Sequence, residues 1–235
     1  LKEAHFGSIV DGVKEGRTII GNIRKALGCL LTGNLAEIVV TSVAVVAGMP
    51  IPLVPIQILL MNLLTDALPA MILAVNPGSR AKQSERTEIV DRSLYRKVIT
   101  RGALLGAGAL ALFGLALASG QPVPVAQSIA FATLVAGQLI QTFTWRQEDA
   151  REKASDWSKD RFLVGALSIS WLALLGTLYV PSLNRFFHTV PIPLRHWGPI
   201  LLVASSISWL SKPIFSVLAK KDETAGASAL SYSAA

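Results

Sequence analysis

The chain has 235 residues, of which 51% are hydrophobic and 16% are charged, and its net charge is +7. Soluble domains of this size carry about a quarter charged residues, so the composition favours a membrane protein over an ordinary soluble domain. The basic residues lie between apolar runs and lack interleaved aromatic residues, which argues against a nucleic-acid partner. The single cysteine, Cys29, excludes an internal disulfide and is interpreted as a small buried hydrophobe.

Residues 1–24 form a leader whose apolar residues recur at helical spacing. They are Phe6, Val10, Val13, Ile20 and, just beyond, Leu27. The spacing predicts one helix that enters the membrane from outside it. Running on to residue 47, this helix would be about 60 Å long, twice the membrane thickness, and would protrude as a cytoplasmic stalk. Each of several glycines in the leader weakens an exposed helix by about 1 kcal/mol, so a loop that leads into a shorter helix is the alternative.

Six windows are long and apolar enough to cross a bilayer, at about 20 residues each. They lie at about 25–47, 55–74, 98–119, 125–144, 162–180 and 197–218. The sequence therefore predicts an all-α membrane protein with six transmembrane helices in a domain at 25–218. The remainder, 219–235, is rich in Ala and Ser and is expected to be a disordered cytoplasmic tail.

Charge predicts the orientation of these spans. Of the 22 Lys and Arg residues, only Arg185 and Arg195 fall in the connectors 48–53, 120–124 and 181–196, and the other 20 fall on the opposite side. Basic residues are retained in the cytoplasm, so both termini are predicted to be cytoplasmic.

Glu37 and Asp66 are the two acids near the middle of a predicted span, and no Lys or Arg lies in the middle of any span. A charge at the bilayer centre costs about 2.5–3.5 kcal/mol on insertion scales, so two unpaired acids need compensation. A bound cation, or protons, would supply it.

Oxygen-bearing side chains accompany both acids. Asn34 and Glu37 are three residues apart and are predicted to share one helix face. Asn62 and Asp66 are predicted to share a face of the second span, with Thr65 beside them. Carboxylate, amide and hydroxyl oxygens are the ligands of a hard cation such as calcium.

Two further features border these residues. Pro69 cannot donate to the carbonyl of Thr65, so that carbonyl is predicted to be freed for a cation, with a plain structural kink as the alternative. Gln138 and Gln141 share a face of the fourth span, where ligation and interhelical hydrogen bonding remain equal alternatives.

Five stretches of the sequence carry recognisable motifs: Phe6-Gly7-Ser8-Ile9-Val10, Glu15-Gly16-Arg17, Asn22-Ile23, the run from Asn62 to Pro69, and Asn76-Pro77. Together they resemble the C-terminal membrane region of P-type ATPases, closest to calcium pumps of the sarcoplasmic reticulum type. The resemblance implies that the six spans are the last six of ten helices. It also implies one calcium site from Asn34, Glu37, Thr65, Asp66 and Gln138, and part of a second from Asn62 and Asp66.

The resemblance also implies what this chain leaves to others. The first four helices and the actuator, phosphorylation and nucleotide-binding domains would be its partners and would use ATP and magnesium, so the chain alone is not expected to hydrolyse ATP. Ala67 stands where the family usually has glycine, and Gln138 stands where two-site pumps carry an acid. A secondary cation antiporter or channel is the alternative function, but it leaves the stalk unexplained.

The predicted topology can be tested with cysteines at three positions in the predicted loops. Because 20 of the 22 basic residues sort to one side, Ser84→Cys and Ser155→Cys should resist an impermeant thiol reagent added outside intact cells. Ser182→Cys should react with it. Labelling in the reverse pattern would show that the orientation is wrong.

Overall fold

The computed structural model describes residues 6–67, 90–147 and 161–211, and these residues fold as helices joined by short connections. The elements in chain order are α1 (Phe6–Val46), α2 (Pro55–Asn62), a π-helix (Leu63–Ala67), α3 (Arg92–Ala118), α4 (Val123–Gln147), α5 (Arg161–Tyr179), α6 (Pro181–Phe187), a short 3-10 helix (Leu194–His196) and α7 (197–211). The prediction of an all-α protein is confirmed over this part of the chain.

Four helices are long and apolar enough to cross a membrane: Asp11–Val46, Arg92–Ala118, Val123–Arg146 and Phe162–Tyr179. They coincide with the first, third, fourth and fifth predicted spans, so the protein is a multi-pass membrane protein. The second predicted span begins as α2 and the sixth as α7. The remaining residues of those two spans, and the tail 219–235, lie outside the described residues, so six spans remain a prediction.

Helix α1 is continuous over 41 residues, from Phe6 to Val46. At 1.5 Å per residue it is about 60 Å long, roughly twice the thickness of the hydrocarbon core. The continuous helix predicted from the leader is therefore confirmed from residue 6 onward, and the loop alternative is wrong there. That the protruding part faces the cytoplasm remains a prediction.

Glycine ends two of the long helices in the same way. Gly48 follows α1 with a φ of 67°, and Gly120 follows α3 with a φ of 78°. At each glycine, its own amide and the next amide donate to two carbonyls of the last helical turn. These are the carbonyls of Val45 and Ala44 in α1, and of Leu117 and Ala116 in α3. Glycine adopts this left-handed conformation without steric cost, which explains why both helices stop where they do.

The three connectors predicted to share one side of the membrane meet at one end of the helices. Three hydrogen bonds join this end: Gln127 Nε2 to the Ile51 carbonyl (2.7 Å), Gln57 Nε2 to the His188 carbonyl (3.2 Å), and the Val190 amide to Ser128 Oγ (2.8 Å). At the opposite end, the Arg24 guanidinium contacts the Asp91 carboxylate, which also caps the first turn of α3. The described residues therefore match the predicted grouping of the connectors at one end, and the side of the membrane that each end faces remains a prediction.

Helix α4 lies at the centre of the bundle. In its most apolar stretch, 72% is buried inside the protein, against 39% for each of the other three candidate spans. It contacts α1, α2, the π-helix, α3 and α5. Side chains on α4 therefore face protein on nearly all sides, and polar groups among them are removed from lipid.

Helices α1 and α3 approach closely where α3 carries small residues. A Cβ atom at Gly106 would lie 2.8 Å from the Ala36 carbonyl oxygen and from Val39 Cβ, and one at Gly102 would lie 2.9 Å from Leu35. Small residues let membrane helices pack backbone to backbone, where van der Waals contact replaces the hydrophobic driving force. This contact holds α1 against α3 at the level of Ala36.

Gly106→Ala should destabilise the protein, because the added methyl collides with backbone that cannot turn aside. Overpacking of this kind costs about 1–3 kcal/mol and should lower the thermal unfolding midpoint of the detergent-purified protein by several degrees. Gly165→Ala on α5 is the matched control, since a Cβ atom there meets nothing within 4 Å. Equal midpoints for the two variants would show that α1 and α3 do not depend on this contact.

Candidate functional site

Glu37 on α1 and Gln138 on α4 meet inside the bundle. Both are buried, at 8% and 5% exposure, and Gln138 Nε2 donates to Glu37 Oε1 over 3.4 Å. The helices approach closely here because α1 carries Gly33, where a Cβ atom would lie 3.1 Å from the Gln138 amide. Two residues predicted as ligands from separate spans are thus in contact, through a long hydrogen bond that leaves room for adjustment.

The other predicted acid, Asp66, lies in the π-helix that follows α2. The π-helix runs from Leu63 to Ala67 and contacts α1, α4 and α5. Turns of this kind are rare, widen the helix and occur frequently at functional sites. The sequence predicted that Pro69 frees the carbonyl of Thr65, and Pro69 itself lies outside the described residues. The observed π-helix lies shortly before Pro69 in the sequence and includes Thr65.

Thr65 is fully enclosed within this turn, whereas Asp66 is half-buried. The Thr65 hydroxyl lies 2.9 Å from the Met61 carbonyl and 3.3 Å from Asp66 Oδ1. A hydroxyl has one proton and two lone pairs, so when it donates to Met61 its lone pairs remain available beside the Asp66 carboxylate. A cation would find two oxygens there.

Several buried polar atoms around these residues lack a hydrogen-bond partner among the described residues. They are Asn62 Oδ1, Gln138 Oε1 and both amide atoms of Gln141. An unpaired buried amide oxygen costs about 1–3 kcal/mol, so native proteins rarely leave one without a water or an ion to bind. Two of the three unpaired oxygens belong to predicted ligands.

Asn34 does not join this cluster. It lies on an exposed strip of α1, next to the exposed side chains of Leu31 and Ile38, whereas Glu37 points inward. Three residues along a helix turn about 300°, so the two side chains share a face only at its edges. The prediction that Asn34 and Glu37 lie on one face therefore does not bring Asn34 to the buried oxygens described here.

Sequence reasoning missed Ser170 on α5. This serine is fully buried, and its Oγ donates to the carbonyl of Leu64, within the π-helix, over 2.8 Å. Its neighbour in sequence, Ser168, is exposed. The apolar run around them does not distinguish the two serines, so only the three-dimensional packing shows which of them touches the candidate site.

The donor atoms that these residues offer are oxygens, of the kind that hard cations prefer. Among residues 6–67, 90–147 and 161–211, no three His, Cys, Asp or Glu side chains gather as a metal site. The oxygens come instead from two acids together with amides and hydroxyls, the donor types that suit calcium or magnesium.

Comparison with known proteins identifies relatives of this chain. Residues 50–214 match the family model described as cation transporting ATPase, C-terminus. The chain is 39% identical over 207 residues to a calcium-transporting ATPase of Bacillus subtilis, covering 84% of this chain and 23% of the relative. It is 31% identical over 224 residues to calcium-transporting ATPase 1 of Bacillus cereus, covering 87% and 25%. The chain thus spans about a quarter of the length of the curated relatives it matches.

Proposed function

Because this chain belongs to the family of cation-transporting ATPase C-termini, we propose that it is the cation-binding transmembrane domain of a P-type pump, with calcium as the transported ion. Two relatives that support this choice of ion are calcium-transporting ATPases of Bacillus species. ATP hydrolysis would take place in the remaining part of the pump and drive the ion through this domain.

The observation that carries the proposal is the buried contact between Glu37 and Gln138. The Gln138 amide donates to the acid through its nitrogen, and its own oxygen has no partner among the described residues. The Asn62 oxygen is buried in the same condition. A cation bound beside Glu37 would satisfy the unpaired Gln138 oxygen and the carboxylate together, which a purely structural contact does not do.

Charge balance favours one divalent ion at this place. Glu37 and Asp66 together carry two negative charges, which match the charge of one calcium ion when both are ionised. Gln138 adds an oxygen without charge, so it can help to orient the ion while contributing less to its affinity. We propose Glu37, Thr65, Asp66 and Gln138 as ligands of one ion; they are four of the five residues that the resemblance to calcium pumps implies for one site, and Asn34 is the fifth.

The outer strip of α1 supports a second part of the proposal, the partner half of the pump. On this strip, the polar side chain of Asn34 lies between the exposed apolar side chains of Leu31 and Ile38, at membrane depth. A polar side chain there is better placed against another helix than against lipid. We propose that the first four helices of the pump cover this strip, bring Asn34 into the ion site, and complete a second site at Asn62 and Asp66.

Coupling to ATP hydrolysis would pass along α1. This helix is unbroken from Phe6 to Val46, so a displacement of its outer part is carried through rigid backbone to Glu37, about 46 Å away. The actuator, phosphorylation and nucleotide-binding domains, where ATP and magnesium act, would move that outer part from the cytoplasm. Both termini of the chain would lie on that side.

Asp66→Asn in the intact pump that contains this chain should be the most damaging change at the site. Removing one carboxylate leaves the burial of a divalent ion uncompensated by several kcal/mol, and each 1.4 kcal/mol is about tenfold in affinity. Calcium-dependent phosphorylation by ATP should therefore be lost at micromolar calcium. Gln138→Ala, which removes no charge, should shift the same calcium titration much less.

Asp11→Asn is the matched control, because the same chemical change is made at an exposed acid on the protruding part of α1. It should titrate with calcium like the parent. If Asp66→Asn also titrates like the parent, the ion site has been placed wrongly, and Asp66 would be a protonated structural group.

A further inference from the structure

Among the described helical hydroxyls, Ser170 on α5 is set apart because it donates to the backbone of another helix. Thr32, Thr133 and Thr177 each donate to the carbonyl four residues earlier in their own helix, the usual local bond of such residues. Ser170 instead donates across the bundle to Leu64, 106 residues away in sequence, and it is fully buried. Its hydroxyl therefore acts on another helix rather than on its own.

The carbonyl that Ser170 binds lies within the candidate site. Leu64 and Thr65 are joined by one peptide unit, which is planar, so holding the Leu64 carbonyl fixes the orientation of the Thr65 amide. Thr65 in turn contacts Asp66 through its hydroxyl. The π-helix is a single short turn, with i→i+5 hydrogen bonds in place of those of an α-helix, and the Ser170 hydroxyl adds a restraint on it from another helix.

Resting on the proposed function, we propose that Ser170 is a positioning residue for the ion site. Its hydroxyl holds the Leu64–Thr65 peptide so that Thr65 and Asp66 present their oxygens toward Glu37 and Gln138. It does not touch the ion. The hydrogen bond lowers the entropic cost of ordering the ligands when the ion binds, because it already restricts rotations that would otherwise be lost on binding.

Loss of the hydroxyl should weaken the affinity for the ion, while the amount of pump that can be phosphorylated stays unchanged. Interhelical hydrogen bonds in membranes span a range that corresponds to about three- to twentyfold in an equilibrium constant. In the intact pump, Ser170→Ala should therefore raise the calcium concentration at half-maximal phosphorylation by about that factor. The maximal phosphorylation at saturating calcium should match the parent.

Two further variants separate positioning from packing. Ser170→Thr keeps the hydroxyl and should restore the calcium midpoint of the parent. Ser168 lies two residues away, on the exposed side of the same helix. Ser168→Ala removes its hydroxyl and should leave the calcium midpoint unchanged. If too little Ser170→Ala protein folds, Ser170→Cys replaces it, because the thiol is a weak donor of similar size and should produce the same direction of shift.

The outcomes decide between the alternatives. A midpoint for Ser170→Ala or Ser170→Cys equal to that of Ser168→Ala would overturn the inference. So would a lower maximum with an unchanged midpoint, since that pattern means that Ser170 only holds the helices together. A parent pump whose phosphorylation does not depend on calcium would overturn the proposed function, and this role would be rejected with it.

Discussion

Burial of a carboxylate inside an apolar bundle is the constraint on which the rest of this structure depends. Glu37 is 8% exposed, and its described partner is the neutral amide of Gln138. An amide cannot neutralise a charge, so the acid requires either a proton or a cation to be stable at this depth. In the proposed pump, the bound cation would meet this requirement.

The packing around Glu37 gives this site one rigid side and one adaptable side. The rigid side consists of α4, enclosed by other helices, and of α1, which approaches it at Gly33 and α3 at Gly106. The adaptable side is the π-helix, in which Asp66 is only half-buried. An ion that must bind, be enclosed and later leave needs both kinds of side, since a fully rigid cage would release it slowly and a fully mobile one would bind it weakly.

Hydrophobic length and charge were sufficient to predict much of the fold. They predicted the membrane class, the four helices confirmed as long enough to cross a membrane, the continuity of α1 and the meeting of the connectors at one end of the helices. Each of these follows from a property of a contiguous stretch, which sequence shows directly. That Glu37 and Gln138 belong to one site was also predicted, because both are among the polar residues placed at membrane depth.

Other features needed three-dimensional packing. The exposure of Asn34 depends on which helices surround α1, and the spacing of residues along one helix does not contain that information. The π-helix was anticipated only as a freed Thr65 carbonyl or a plain kink at Pro69, because the proline shows where hydrogen bonding fails and not how neighbouring residues adapt. Ser170 was missed since its partner is a backbone carbonyl 106 residues away, which carries no signature in sequence.

The most direct test is to locate the ion itself. Crystals of the intact pump, grown with strontium as a heavier analogue of calcium, would show the ion by its anomalous scattering without any assumption about activity. A cation held by the site described here predicts an anomalous peak within coordination distance, about 2.3–2.6 Å for calcium and slightly longer for strontium, of carboxylate oxygens of Glu37 and Asp66. An anomalous peak elsewhere in the membrane domain, with these two acids bound only to protein or water, would contradict it.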